Sequence, residues 1–205
     1  MEIEFALEFL RSGRPIILAD ESNREDEGDL ILSASLASPW WINFLIREAR
    51  GLLCVPLTAQ RAQELELDMM VKNNSDTHGT AFTVSVDALK THTGISAPER
   101  TLTALWLADP NKKSMDFKKP GHMFPLIAHA QGLNARHGHT EAALALMDLC
   151  NLPPVAVICE ILKEDGNMAR RHDLGELSQK WNIPYITMEK LIEYWETTRT
   201  CLYVN

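Results

Sequence analysis

The sequence predicts a single α+β domain with a mixed β-sheet and helices on its faces. Amphipathic helices and short apolar strands are intermixed along the chain, which is typical of a domain that packs both element types around one core. Strict alternation of strand and helix fails at 15–35 and at 80–86, which indicates a mixed rather than an all-parallel sheet. A chain of 205 residues can bury about 70% of its unfolded surface, enough for a full core.

The first part of the chain is predicted to contain two helices. Apolar residues over 3–12 are spaced to share one face of a helix, and Gly13 ends it. Ser38 and Pro39 are an N-cap followed by proline at the first helical position, and they begin a second helix that ends near Gly51. The residues predicted to point inward from this helix are Trp41, Phe44 and Leu45.

Four strands are predicted in the same part of the chain. The segments 15–19, 30–32 and 52–55 are short and apolar, and Pro56 ends the third. The segment 80–86 alternates as a half-buried strand does. Its predicted inward residues are Phe82, Val84 and Val86.

The second part is predicted to contain four helices and three strands. Ser96–Glu99 and Asp173–Glu176 have the capping-box pattern that begins a helix. Thr140 and Thr187 are predicted to cap the other two helices. In the helix that begins at Ser96, the residues predicted to point inward are Leu102, Leu105 and Trp106. In the helix that begins at Thr140, they are Leu146 and Leu149. The predicted strands are 123–128, 155–161 at the centre of the sheet, and 185–186.

Composition excludes several functional classes. The net charge is −8, which disfavours a nucleic-acid partner. The longest apolar runs are too short to cross a bilayer and the first residues lack a basic signal region, so we expect a cytoplasmic protein with no membrane partner. The four cysteines, Cys54, Cys150, Cys159 and Cys201, form no C-x-x-C pair, and we expect free thiols.

An acidic segment at 20–29 lies between two predicted strands and contains six carboxylates in ten residues. Gly28 argues against a helix here, and an extended backbone would point Glu25, Glu27 and Asp29 to one side. Carboxylates crowded on one side repel one another unless a cation binds them, and hard oxygen ligands favour Mg²⁺ or Mn²⁺. The alternative is a solvated acidic loop.

A second polar segment runs from Arg136 to Glu141, just before an apolar helix. A turn capped by Thr140 would expose backbone N–H groups at a helix N-terminus beside Arg136, a combination that binds phosphate. His137 and His139 could both ligate a metal, or only one could. The alternative is a capped helix start with solvent-exposed histidines.

Three single residues also bear on function. His122 lies in a polar turn before a predicted strand, and could be catalytic or a hydrogen-bonded structural residue. Glu160 ends the apolar strand 155–161, where a carboxylate suits acid–base chemistry, although it could simply reach solvent. Cys54 is interpreted as core rather than as a nucleophile, because no basic residue is adjacent in the sequence.

Several short motifs follow one another in a specific order. They are Arg24-Glu25-x-Glu27-Gly28-Asp29, Gly79–Val84, Thr93–Ala97, Pro120–Leu126, Gly138–Ala142, Cys159-Glu160 and Asp165–Arg170. Each motif alone is weak, but their ordered combination, over about residues 13–195, resembles the 3,4-dihydroxy-2-butanone 4-phosphate synthase family.

The resemblance implies a homodimer of α+β domains, with one synthase domain over residues 1–205 and without the cyclohydrolase domain that some relatives carry. It implies a Mg²⁺-dependent lyase of riboflavin biosynthesis. This lyase converts ribulose 5-phosphate to 3,4-dihydroxy-2-butanone 4-phosphate and formate, through a metal-stabilised enediolate and a rearrangement of the carbon skeleton.

Residue roles follow from the resemblance by motif. Glu25 and His139 would be metal ligands, and His122 and Glu160 would be the essential acid–base residues. The implied substrate contacts are Arg24, Glu25, Asp29, Arg136, His137, Gly138, His139, Thr140 and Glu160.

Three positions depart from the family pattern. His92 replaces a Thr, and Gln131 and His137 replace Gly. His137 lies inside the implied phosphate turn, where its side chain could narrow the turn or add a hydrogen-bond donor.

Two other functions compete with the lyase. A Nudix-like pyrophosphatase also has Arg-Glu followed by acidic residues, but its signature needs a continuous helix, and Ile16 stands where its upstream Glu should be. A non-catalytic module that binds metal or sugar phosphate would keep Glu25 and His139. Such a module has no use for His122 and Glu160 together.

Overall fold

One mixed sheet runs through the part of the chain that the structure, a computed structural model, describes: residues 2–202, with side chains described through Thr198. Its seven strands lie in the order β4-β5-β3-β6-β2-β1-β7. They are β1 (Ile16–Ala19), β2 (Gly28–Ser33), β3 (Cys54–Leu57), β4 (Val86–Ala88), β5 (Phe117–Ile127), β6 (Ala156–Glu160) and β7 (Tyr185–Thr187). The β1–β2 and β2–β6 pairs are antiparallel and the β3–β5 and β1–β7 pairs are parallel, which confirms the predicted α+β class.

Helices cover both faces of this sheet. The α-helices are α1 (Glu2–Arg11), α2 (Pro39–Phe44), α3 (Ala59–Glu64), α4 (Ala97–Ala108), α5 (His139–Leu149), α6 (Arg171–Trp181) and α7 (Met188–Leu202). Buried residues of α1, α5 and α7 form one apolar cluster with one face of the strands, and those of α2, α3, α4 and α6 form a second cluster with the other face. Alternate residues of a strand enter opposite clusters, as the pleat requires.

The strand β6 occupies the middle of the sheet, as the sequence predicts. It pairs with β2 on one side, where Asp29 lies opposite Glu160, and with β3 on the other, where Cys54 lies opposite Ile158. The polar residue near the start of β2 and the one that ends β6 therefore lie side by side, at the same end of these two strands. This end of the strands carries the candidate site.

The predicted strand at 80–86 is largely wrong. The ladder begins only at Val86, and Phe82 makes a single bridge to Leu126. Thr83, predicted to point outward, is fully buried, and its hydroxyl and backbone N–H both donate to the Pro125 carbonyl. A hydroxyl that makes a hydrogen bond can be buried at little cost in free energy. The alternation of apolar residues over 80–86 therefore does not identify which side of this segment faces the core.

Several helix details also differ from expectation. The inner face of α4 consists of small and polar residues with Leu107, whereas Leu102, Leu105 and Trp106 are only partly buried. Gly138 is the N-cap of α5, so Thr140 is inside the helix, and α6 begins at Arg171, two residues before the predicted box. The helix that begins at Pro39 continues as a π-helix over Leu45–Ala49. The strand β3 continues past Pro56, which was predicted to end it, to Leu57.

Candidate active site

A cavity of about 130 Å³ lies where β2 and β6 meet the acidic segment and the start of α5. Its polar lining contains most of the predicted site residues: Arg24, Glu25, Asp29, Arg136, His139, Thr140 and Glu160. A larger cavity of about 600 Å³ lies between Thr58, the loop after β5 and α5. We place the site in the smaller cavity because titratable and metal-ligating side chains converge there.

The two carboxylates at the base of this cavity are held by the sheet. Asp29 is 2% exposed, and its Oδ1 atom has no hydrogen-bond partner among the described residues. Burial, and then the negative charges of Glu160 and Glu25, raise the pKa of Asp29 well above its usual range. Glu160 accepts a hydrogen bond from the backbone N–H of Leu52 at 2.8 Å. Asp29, a carboxyl with a raised pKa, therefore lies beside Glu160, a carboxyl anchored by a backbone N–H group.

Asp20 anchors the acidic loop, a residue that the sequence analysis did not single out. It is fully buried, and its Oδ2 atom accepts from the Arg24 guanidinium at 2.7 Å and from the Glu25 backbone N–H at 3.2 Å. Arg24 also pairs with the Glu25 carboxylate at 2.9 Å. Asp20 follows β1 directly, and a carboxylate that ends a buried strand was the available signal. Since this segment is a loop that leads into β2, it lacks the helix that the pyrophosphatase signature requires.

Two arginines of α6 and its N-cap hold the same loop from outside. Arg170 donates from one terminal nitrogen to the carbonyls of Glu25 at 2.7 Å and Asp26 at 2.8 Å. Arg171 donates to the carbonyl of Asp20 at 2.8 Å. The backbone position of Glu25 therefore depends on α6, about 145 residues further along the chain.

Three side chains are arranged as a cation site would need them. One ligand atom each from Asp20, Glu25 and His139 lie within 4.8 Å of one another. His139 is 7% exposed, and its Nε2 atom has no hydrogen-bond partner in the described chain. Burial lowers the pKa of His139, which favours the neutral ring that metals bind. A buried nitrogen without a partner, next to carboxylate oxygens, fits a divalent metal.

The start of α5 carries the predicted phosphate turn. Gly138 offers no side-chain cap, so the first N–H groups of the helix remain available to an anion. The Arg136 guanidinium lies against Gly138, where an added Cβ would come within 2.1 Å of it. Arg136 pairs at 2.6 Å with Glu141, which is 2% exposed. It also donates to Thr80 Oγ1 at 3.2 Å, so its position is fixed before any ligand binds.

His122 does not join this cavity within its own chain. It lies on β5, and Asp87 accepts hydrogen bonds from its backbone N–H and holds its ring, each at 2.8 Å. Since β3 separates β5 from β6, the His122 and Glu160 backbones are about 10 Å apart at the usual strand spacing. His137 is also outside the lining, and its ring lies 3.5 Å from Glu21.

Cys54 belongs to the apolar core, as the sequence predicts, and it also lines the cavity. It is 2% exposed. Burial, followed by the negative charges of Glu160 and Asp29, raises the pKa of the thiol, which disfavours a nucleophilic thiolate. Cys54, Cys150 and Cys159 are free thiols as predicted. Cys201 lies outside the residues whose side chains are described.

Within residues 2–202, no helix is long and apolar enough to span a bilayer.

Comparison with known proteins identifies relatives along nearly the whole chain. Residues 4–194 match the family model of 3,4-dihydroxy-2-butanone 4-phosphate synthase. The chain is 52% identical over 192 residues to riboflavin biosynthesis protein RibBA of Bacillus cytotoxicus, covering 94% of this chain and 48% of that protein. It is 51% identical over 195 residues to the 3,4-dihydroxy-2-butanone 4-phosphate synthase of Oceanobacillus iheyensis, covering 95% and 94%. The chain thus spans about half the length of the RibBA relatives it matches.

Solved structures agree with this. A crystal structure of 3,4-dihydroxy-2-butanone 4-phosphate synthase in complex with two magnesium ions has a TM-score of 0.91 at 38% identity, covering 96% of this chain and 97% of that one. The synthase of Candida albicans has a TM-score of 0.86 at 44% identity, covering 94% and 96%. On the family model, the identities and the shared fold, this chain belongs to the 3,4-dihydroxy-2-butanone 4-phosphate synthase family.

Proposed function

We propose that this chain is a divalent-metal-dependent lyase of riboflavin biosynthesis. Its substrate is D-ribulose 5-phosphate, and its products are L-3,4-dihydroxy-2-butanone 4-phosphate and formate. The observation that carries the proposal is the meeting of Glu25, His139 and Glu160 at one cavity. A metal-ligand pair beside an anchored carboxylate is what a reaction through an enediolate requires.

Glu25 and His139 would hold the metal, which we take to be Mg²⁺ or Mn²⁺. The ligand atom of Asp20 is near enough to contribute, but its oxygens already accept hydrogen bonds from Arg24 and from the loop backbone. Asp20 therefore serves mainly to hold Glu25 in place. When bound, a divalent ion would offset the negative charge that develops on the sugar oxygens.

The substrate phosphate would bind at the start of α5. The N–H groups of His139 and Thr140 begin an α-helix of 11 residues, whose N-terminus favours negative charge. Arg136 lies beside them, held in place by Glu141 and Thr80. A phosphate here would bind a preordered set of donors and place the sugar carbons toward Glu160.

Glu160 would remove the proton next to the substrate carbonyl. Its Oε2 atom accepts the Leu52 N–H, which leaves Oε1 to receive a proton. Asp29 lies in register with it, and its buried Oδ1 atom, which has no hydrogen-bond partner among the described residues, is available to a sugar hydroxyl. The later steps are loss of a hydroxyl as water, a carbon-skeleton shift, and addition of one water to the C4 carbonyl before C4 leaves as formate. The water lost and the water added cancel, so the two products together contain all the atoms of the substrate and no external oxidant or reductant is needed.

The position of His122 supports the proposal of a homodimer. This ring is 45% exposed and does not line the cavity of its own chain, which leaves it accessible to the site of a second copy. A dimer in which each chain adds His122 to the site of the other would unite it with Glu160. The same assembly would exclude water from two open cavities at once.

The deciding experiment follows the fate of C4. With ribulose 5-phosphate labelled at C4 and Mg²⁺ present, we expect the label in formate, one per four-carbon phosphate formed, without nicotinamide, flavin or thiamine. EDTA should abolish the reaction and Mg²⁺ or Mn²⁺ should restore it. If the metal-loaded protein binds the sugar phosphate but releases only pentose isomers or nothing, it is a binding module or an isomerase, and the lyase proposal fails.

A further inference from the structure

The imidazole of His122 is held by one carboxylate at two points. Asp87 Oδ1 accepts the His122 backbone N–H at 2.8 Å, and Asp87 Oδ2 lies 2.8 Å from the ring nitrogen Nδ1. Asp87 is 3% exposed. A buried acid thus directs both of its oxygens at one histidine whose side chain is 45% exposed.

The surroundings of Asp87 are fitted to this arrangement. Gly94 has a φ of +87°, and a Cβ there would lie 2.0 Å from Asp87 Oδ2. A glycine is therefore required for the 91–96 loop to close over the carboxylate. The charge of Arg100, on α4, also interacts with that of Asp87, and Lys118 lies opposite Asp87 on β5. The loop and the helix thus confine the acid from two sides.

This geometry assigns the proton positions on His122. An ionised carboxylate can only accept, so Nδ1 must carry a hydrogen, and in the neutral ring Nε2 then has the free lone pair. We propose that Asp87 is a positioning residue that fixes His122 in the Nδ1–H tautomer and leaves Nε2 as the proton acceptor. The inference rests on the proposed function, in which His122 exchanges a proton with the substrate.

The two-point contact also predicts what an amide would do in place of the acid. In Asp87→Asn, the backbone N–H of His122 still requires an acceptor, so the amide oxygen takes that place and the NH₂ group faces Nδ1. Nδ1 must then accept, which moves the ring proton to Nε2. The variant keeps the shape of the site and removes its proton acceptor.

The test combines ring tautomer with turnover in the full metal-loaded protein. With ¹⁵N-labelled histidine and His122→Ala to assign the signals, we expect Nδ1–H in the wild type and Nε2–H in Asp87→Asn. The kcat for formate release should fall about 10²–10⁴-fold, the usual contribution of general acid–base catalysis, with little change in KM. Ser85→Ala is the matched control, because the Ser85 hydroxyl accepts from the backbone N–H of Gly121, the residue before His122 on β5. It should keep the wild-type tautomer and change kcat by at most a few fold.

Two outcomes would overturn the inference. One is an unchanged tautomer in Asp87→Asn together with wild-type kcat. The other is a loss of kcat in Asp87→Asn with Nδ1–H retained, because a residue that acts by placing the ring proton cannot lower kcat while that proton stays where it was. If the wild type forms no formate at all, the proposed function fails, and the ¹⁵N spectra still decide whether Asp87 sets the tautomer.

Discussion

Asp29 and Glu160 lie directly opposite each other on adjacent antiparallel strands. Like charges in this position destabilise a sheet. Here burial and, after it, this repulsion raise the pKa of Asp29. The site therefore holds a carboxylate whose ionisation works against folding, which is a common cost of a functional site.

Replacing Asp29 with Asn should stabilise the metal-free protein. The folded-state pKa lies above the ordinary value of 3.8, so the contribution of Asp29 to stability is fully present below that pH and is lost as pH rises through the folded-state pKa. Asn does not ionise, so its contribution to stability does not fall as pH rises. We expect the free energy of unfolding in urea to rise by about 1 kcal/mol or more at pH 8, with a smaller gain at pH 5, and formate release to stop.

Asp148→Asn, at an exposed position on α5, is the control. Equal stability of Asp29→Asn and wild type at both pH values would contradict the prediction.

Arg136→Ala should weaken both substrate binding and the fold. We expect the Kd for ribulose 5-phosphate to rise about tenfold or more, since a charge-assisted hydrogen bond contributes about 1.5–3 kcal/mol. Stability should also fall, because Glu141 is 2% exposed and loses its partner. Adding Glu141→Gln should restore stability without restoring affinity, as Gln can still accept from His129. Equal losses of affinity for ribulose and ribulose 5-phosphate would mean that Arg136 does not contact the phosphate.

Gly138→Ala separates the position of the guanidinium from its charge. The new Cβ would lie 2.1 Å from Arg136 Nη1, so the side chain must move although its charge remains. We expect a rise in Kd for ribulose 5-phosphate that approaches that of Arg136→Ala, measured by calorimetry. Gly175→Ala, where the added Cβ meets nothing within 4 Å, is the control. A wild-type Kd in Gly138→Ala would exclude a fixed arginine as the basis of phosphate binding.

Arg170→Ala should lower metal affinity without removing a ligand. Arg170 holds the carbonyls of Glu25 and Asp26, and its loss frees the backbone of the acidic loop. We expect the Kd for Mn²⁺, measured by calorimetry, to rise about tenfold, as for other residues that orient metal ligands. Arg47→Ala removes an exposed arginine paired with Glu48 and should bind Mn²⁺ as the wild type does. An unchanged Kd in Arg170→Ala would show that the loop holds its form unaided.

Mixing two inactive variants tests whether sites are shared between chains. If the partner supplies His122, a heterodimer of His122→Ala and Glu160→Gln contains one complete site. After unfolding and refolding together, the mixture should recover about a quarter of wild-type formate release, because half of randomly assembled dimers are mixed and each has one working site. Each variant refolded alone is the control. A mixture as inactive as its components would place His122 and Glu160 of one chain in the same site.

Local patterns predicted most of the elements but not the faces they bury. The central strand around Ile158 and the helix after Ser38 follow from apolar runs and a cap, which depend only on neighbouring residues. Thr83 and the inner face of α4 were assigned wrongly because hydrogen bonds to distant groups made polar residues suitable for burial. Periodicity records hydrophobicity, whereas burial depends also on partners that a sequence does not display.

The candidate site was likewise predicted where it depends on neighbouring residues and missed where it depends on distant ones. The acidic segment and the turn before α5 were predicted as separate binding elements, and the β2–β6 pairing brings Glu25 and His139 to one cavity. The role of Asp20 as an anchor was missed, because its partners are backbone groups of the loop that it holds. The separation of His122 from Glu160 was also not foreseen. It depends on β3 lying between their strands, and strand order follows from packing of the whole domain.

The central place of β6 has a consequence for synthesis on the ribosome. Without β6, the described strands form two separate sheets, β1–β2 with β7 and β3–β5 with β4, each with an unpaired edge. The residues that join them lie in β6, about a hundred residues after the end of β3 in the chain. Until then the edges of β2 and β3 can pair with other nascent chains. The strand that completes the cavity thus also covers the open edges of β2 and β3 in the growing polypeptide.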